Sequence, residues 1–207
     1  MMITPLSLGP MGTNCYIIAK GVEAIIVDPS GEANKIAEKL TELRVQPLAI
    51  LLTHAHFDHI GALDEIREQY NIPVYLSKQE QGWLSDPERN GALLFGLGDK
   101  TAKEADFFFT DTELSFGSIT LSLRKTPGHS PGSVSFIFTE AESVIDGDSL
   151  FNSGIGRTDL FGGDYEQLEK SIKEELYSLP SHYTVYPGHG PKTTIQNEQA
   201  SNPFVKG

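Results

Sequence analysis

Residues 53–59 read THAHFDH, Thr53-His54-Ala55-His56-Phe57-Asp58-His59, and follow directly on the apolar run Leu48-Ala49-Ile50-Leu51-Leu52. A short apolar run of this kind reads as a buried strand. Three imidazoles and a carboxylate at its end are costly to desolvate unless something uses their lone pairs. Side chains at i and i+2 of an extended segment point the same way, so His54 and His56 can grip one ion from one side. Asp58 and His59 come where the chain turns into a helix expected to begin near Gly61, which aims them in a neighbouring direction. A surface histidine or a helix-capping aspartate would account for any one of these residues. Together they point to a divalent ion, which takes imidazole lone pairs directly. Imidazole with carboxylate suits zinc, and also iron or manganese.

Four ligands in one loop rarely complete a two-ion site, so partners are sought at other strand ends. TPGHSPGS places His129 after the run Ile119 to Lys125, DGDSLF places Asp148 after Val144-Ile145, and YPGHGP places His189 after Thr184-Val185-Tyr186. Each lies where a strand gives way to glycine and proline, which allow close backbone approach and set the turn. The sixth histidine, His182, reads as a surface residue. Asp28 and Asp146 end strands of their own and stay outside the ligand set, as turn residues or outer hydrogen-bond acceptors.

Strands are expected at 14–20, 24–28, 48–53, 72–76, 106–109, 119–124, 133–138, 143–146 and 183–186, bounded by Gly, Pro, Asp or Asn. Helical periodicity joins Ile36, Leu40 and Leu43, then Leu63, Ile66 and Tyr70. A longer stripe runs through Tyr165, Leu168, Ile172, Leu176 and Leu179, with Asp164 as its cap, Gln167 three residues on and Pro180 as its stop. Strands with helices between them in both halves predict an α/β layered architecture. AIIVDPSG near residue 28 echoes SVIDGDSL near residue 146, and in each half a helix then leads to a strand ending in histidine, LLTHAH and VYPGHG. The least regular stretch is 86–104. Its apolar residues 93–97 are expected to pack into the core rather than to cover a substrate.

At 207 residues the chain is expected to form a single domain, 1–207, with ample core. Acidic residues outnumber basic ones by 28 to 16, a field that repels nucleic acid and anionic lipid. Neither is an expected partner. No segment approaches the roughly 18 apolar residues of a membrane span, and the start carries neither a basic leader nor a signal-length apolar stretch. A cytoplasmic protein is expected. The one cysteine, Cys15, sits in an apolar strand and reads as a buried structural thiol.

His54, His56, Asp58 and His59 spell H-x-H-x-D-H, and with His129, Asp148 and His189 they resemble the metallo-β-lactamase superfamily over most of the chain. The resemblance implies a four-layer αββα sandwich binding two divalent metal ions, zinc first and iron or manganese next. His54, His56 and His129 would hold one ion, Asp58, His59 and His189 the other, and Asp148 would bridge. Asp148 within GDSLF, with the chain ending soon after His189, is similar to short glyoxalase II-like proteins, the hydroxyacylglutathione hydrolases. The expected reaction is thioester hydrolysis by a metal-bridging hydroxide, on S-D-lactoylglutathione or another acylglutathione. Asp58 would serve catalysis by orienting the nucleophile or relaying its proton. Arg157, in the segment GRTD, and Lys192 are the candidate substrate-binding cations. Arg157 paired with Asp159 or Asp164 is the competing reading. The GRTD segment also resembles persulfide dioxygenases, which would use one iron held by His54, His129 and Asp148. A lactonase and a non-catalytic binding module are the remaining alternatives.

Overall fold

A computed structural model describes residues 1–207. The chain divides into two compact units, Met1–Thr120 and Leu121–Gly207.

In the first unit the strands β1 (Met2–Leu8), β2 (Thr13–Lys20) and β3 (Glu23–Val27) form an antiparallel meander. Helix α1 (Ala33–Leu43) then crosses over to β4 (Gln46–Leu51), which pairs parallel with β3. Helix α2 (Leu63–Tyr70) leads to β5 (Val74–Leu76), and β6 (Phe107–Phe108) completes a sheet ordered β1-β2-β3-β4-β5-β6. The chain continues through β7 (Glu113–Phe116) into β8 (Ile119–Lys125), a strand that crosses the division between the units. Ile36 and Leu40 of α1 and Leu63 and Ile66 of α2 are buried in one apolar cluster with Ile17, Ile26, Ile50 and Val74 from the strands. Arg44 and Asn71 close these helices in the left-handed region, at φ 56° and 51°. Asn71, followed by Pro73, delays β5 to Val74, two residues later than periodicity alone places it.

In the second unit β9 (Val134–Phe138) and β10 (Ser143–Gly147) continue antiparallel from β8. A small ribbon follows, β11 (Leu150–Phe151) with β12 (Gly154–Ile155). Helix α3 (Tyr165–Ser171) runs into a π-helical turn over Ile172–Leu176. Then β13 (Thr184–Pro187) pairs parallel with β10, and β14 (Thr193–Thr194) precedes helix α4 (Ile195–Ser201). Asp164 caps α3 as expected, its Oδ1 accepting from the Gln167 amide at 3.0 Å. Leu168, Ile172, Leu176 and Leu179 are buried, whereas Tyr165 stays exposed and sends its hydroxyl to the Phe204 carbonyl.

The echo between the two halves is topological. Each unit contains two antiparallel pairings followed by a helical crossover to a parallel strand, β1-β2-β3-α1-β4 in one and β8-β9-β10-α3-β13 in the other. Asp28 follows β3, and Asp146 lies at the end of β10. The expected core packing of 93–97 is overturned. Leu93 and Leu94 are 51% and 70% exposed, because Gly91, Gly96 and Gly98 hold left-handed turns that leave this segment on the surface. Cys15 is fully buried, and burial pushes its thiol far above the ordinary range. No helix is long and apolar enough to cross a membrane.

Candidate metal centre

Within the first unit, β4 delivers the chain at Leu51 into the histidine loop. Asp28 organises that loop from the end of the neighbouring strand. Its Oδ1 accepts the Thr53 amide at 2.8 Å, and its Oδ2 accepts the Thr53 hydroxyl at 2.6 Å and faces His59 Nδ1 at 2.9 Å. Asp28 adopts a left-handed φ of 50° to do so, a conformation that aspartate tolerates better than most residues. Since the Thr53 hydroxyl proton goes to Asp28, the hydroxyl oxygen accepts from His54 Nδ1, 3.0 Å away. The Ala55 amide is held by the buried carboxylate of Glu80, at 2.6 Å. Thr13 donates its hydroxyl to Asp58 Oδ2 at 2.7 Å.

The result is a tight cluster of imidazoles. His54, His56 and His59 are 0%, 3% and 0% exposed, with the His54 ring centroid 4.8 Å from that of His56 and 4.1 Å from that of His59. The Trp83 ring centroid lies 5.7 Å from that of His56. Asp58 Oδ2 is 3.7 Å from His59 Nε2.

In the second unit the three predicted residues converge on one carboxylate oxygen. Asp148 Oδ2 is 3.6 Å from His129 Nε2 and 3.4 Å from His189 Nε2. The His129 Nδ1 donates to the Arg157 carbonyl at 2.7 Å. Two glycines make this possible by close backbone approach. A Cβ on Gly128, at φ 136°, would meet the Leu168 amide nitrogen at 2.2 Å, and one on Gly156 would meet the Asp148 carbonyl at 1.9 Å. Asp146, buried beside the loop, accepts the Leu150 amide at 2.8 Å, and burial raises its carboxyl well above the usual range.

These donor sets fit divalent metal ions. A carbonyl can only accept, so His129 carries its proton on Nδ1; the carboxylate of Asp28 places the His59 proton on Nδ1 in the same way, and the Thr53 relay does so for His54. Each ring therefore turns Nε2 outward as a lone pair, the tautomer fixed by an outer hydrogen bond that metal-ligating histidines use. In the second unit such a lone pair faces a carboxylate oxygen at 3.6 Å, longer than the 2.7–2.9 Å of a charge-assisted hydrogen bond. A cation between the two would turn that repulsion into binding.

The predicted cations are placed differently from the ligands. Arg157 makes a bidentate pair with Asp159, both bonds 2.7 Å, which drives the Asp159 carboxyl down to about 2 and raises the guanidinium. Lys192 lies over the Tyr186 ring, its Nζ 5.8 Å from the centroid. His182 is exposed, as expected. Sequence reasoning left Asp28 aside and passed over Thr13 and Glu80. The strand-end position of Asp28 was a signal, whereas Thr13 and Glu80 gave none, because their contacts span 45 and 25 residues.

Comparison with known proteins agrees with this reading. Residues 8–189 match the Metallo-beta-lactamase superfamily, and the chain belongs to that family. The family brings the fold class expected above, an α/β sandwich of mixed sheets flanked by helices, and the general activity of metal-dependent hydrolysis. The chain is 50% identical to the probable metallo-hydrolase YqgX of Bacillus subtilis, covering 98% of this chain and 96% of that one. It is 35% identical to the hydroxyacylglutathione hydrolase GloC of Haemophilus influenzae, covering 93% and 92%. Among solved structures, the BLEG-1 B3 metallo-beta-lactamase superposes with a TM-score of 0.96 at 46% identity, covering all of both chains. TTHA1623 in a di-iron-bound form does so with 0.88 at 37% identity, covering 98% and 100%.

Proposed function

We propose that His54, His56 and His129 hold one divalent ion, that Asp58, His59 and His189 hold a second, that Asp148 is shared, and that the chain hydrolyses a thioester. The observation that carries this reading is the outer hydrogen bonding of His54, His59 and His129, which turns each Nε2 outward as a lone pair. The likeness to GloC supports an acylglutathione such as S-D-lactoylglutathione as the first substrate to test. Zinc is the proposed metal. The likeness to a di-iron-bound structure makes iron the second.

Bound ions would lower the pKa of a water to roughly 7 and polarise the carbonyl that it attacks. The chain's own residues do the rest. Asp58, steadied by Thr13, orients the attacking water and receives its proton. The water oxygen bonds to the acyl carbon, the C–S bond breaks, and the thiolate leaves with the electron pair. A thiolate leaves without protonation, so the site requires no separate general acid. Arg157 and Lys192 anchor the carboxylates of the carrier. The Arg157–Asp159 pair is surface-exposed and exchanges partners at little cost.

β-Lactam cleavage is the second reading, favoured by the likeness to BLEG-1. Metal quantification on protein purified without chelator, followed by parallel assays on lactoylglutathione, a penicillin and glutathione persulfide, separates the readings. Two ions with oxygen-independent thioester cleavage support the proposal. One iron with oxygen uptake, or cleavage of the lactam alone, overturns it. His56→Ala is expected to abolish hydrolysis while the chain still folds.

A further inference from the structure

Beside Asp58, within the first unit, lies a cavity of about 390 Å³. One side is bare backbone. Gly9, Gly31 and Gly61 pack so closely that a Cβ on Gly31 would meet Gly9 Cα at 3.2 Å and one on Gly61 would meet the Ser30 carbonyl at 2.2 Å. A side chain has no room at Gly61 and little at Gly9 or Gly31. The remaining surface mixes the apolar Leu8, Pro10, Met11, Phe57 and Leu97 with the hydroxyls of Thr13 and Ser30, and Met11 is half-exposed. Phe57 is the residue between His56 and Asp58 in the histidine loop, and its ring packs against Phe95 at 5.3 Å. The same wall is thus tied to the segment around Leu93 and Leu94 that the sequence placed in the core. Asp58, Glu32 and Lys100 also line the cavity, and Glu32 is paired with Lys35 at 2.6 Å.

A lactoyl or acetyl group would leave most of this volume empty, and each methylene that fills it against Leu8, Phe57 and Leu97 gains affinity. Placing a carboxylate against Leu8, Phe57 and Leu97 would cost its solvation, which disfavours an arm that carries its own negative charge. We propose that this cavity is a specificity subsite for a neutral apolar acyl arm. The preferred thioesters then bear medium-length unbranched chains rather than lactoyl. The inference rests on the thioester reading above, and its position next to Asp58 places the arm beside the group that handles the attacking water.

The test is a series of acylglutathiones, from acetyl through butyryl and hexanoyl to octanoyl, with succinyl as the charged counterpart of butyryl. The kcat/KM is expected to rise about fourfold per methylene, the ratio that corresponds to about 0.8 kcal/mol per buried CH₂, until the chain outgrows the cavity. Succinyl is expected to fall below butyryl. Met11→Trp, which puts a larger side chain into the lining, should flatten the rise. Leu97→Trp enlarges another lining residue and repeats the measurement should the first variant fold poorly. Calorimetric titration of the protein as purified with the neutral amides octanamide and acetamide reads the subsite without turnover. Octanamide is expected to bind and acetamide not, with octanamide weakened by either tryptophan. Octanamide binding without any thioester turnover would leave the subsite standing and remove the hydrolase. Turnover independent of chain length, or octanamide binding unaltered in both variants, would overturn the subsite and leave the hydrolase intact.

Discussion

His59 Nδ1 and Asp28 Oδ2 lie 2.9 Å apart, both side chains fully enclosed, although 31 residues separate them. The same carboxylate binds the amide and hydroxyl of Thr53, and through that hydroxyl it also sets the tautomer of His54. One aspartate therefore orients two of the four donors in the loop. Replacing it by asparagine keeps the shape but removes the charge and one acceptor. Asp28→Asn is expected to weaken metal affinity by roughly 10–100-fold. Competition with a chromophoric chelator measures this, and wild-type affinity in the variant would refute the orienting role.

Thr13 reaches Asp58 from the start of β2, at 2.7 Å. A hydrogen bond to a charged acceptor contributes about 1.5–3 kcal/mol, so Thr13→Val is expected to lower kcat/KM by roughly 10–100-fold. Thr13→Ser, which restores the hydroxyl, should recover most of it. A loss in kcat with KM nearly constant marks Thr13 as a positioning residue for Asp58. Equal loss in the serine variant would instead mean that the methyl group and its packing matter.

Gly156 stands where a Cβ would overlap the Asp148 carbonyl at 1.9 Å and crowd His129 Nδ1 at 3.1 Å. Gly21, at φ 62°, has open space around it. Gly21→Ala should cost only about 1 kcal/mol of stability, the conformational term alone. Gly156→Ala must displace the Asp148 loop, so metal binding is expected to fail even in protein that remains folded by circular dichroism. Retained metal stoichiometry in Gly156→Ala would show that the loop yields without harm.

Tyr177 donates its hydroxyl to the Val205 carbonyl at 2.8 Å, and burial pushes its phenol up to about 12. A phenol whose folded-state pKa is raised stabilises the fold fully below its unfolded value near 10. That contribution is lost as pH rises from about 10 through about 12, because the unfolded chain releases the proton first. Urea midpoints are expected to fall across this window. In Tyr177→Phe the decline due to this group disappears, at the cost of a hydrogen bond worth about 1 kcal/mol. An identical alkaline slope in both proteins would assign the effect to other groups.

Ligand chemistry was legible because it is local. H-x-H-x-D-H, the Pro-Gly turn before His129 and the GDS turn at Asp148 announce themselves within a few residues, and the helices of α1 and α2 show in the spacing of Ile36, Leu40, Leu63 and Ile66. Strands β1 and β7 have no fully buried stripe, only β1's last residue being buried, and β14 is two residues long, so none left such a trace. The stripe through Tyr165 was read as one helix, whereas the chain takes a π-helical turn at Ile172–Leu176 that apolar spacing does not reveal.

What the sequence by itself determined is which side chains are offered to a metal, since residue type and the turn that presents it are neighbours in the chain. Tertiary structure alone decided what steadies them. Asp28 for His59, Thr13 for Asp58, Glu80 for the Ala55 amide and the Arg157 carbonyl for His129 are partners 25 to 45 residues apart. The exposure of Leu93 and Leu94, with the cavity lined by Phe57 and Leu97, was decided there too. Such contacts depend on how strands pair and loops close, and loop closure favours no particular distant partner until the sheet has formed around it.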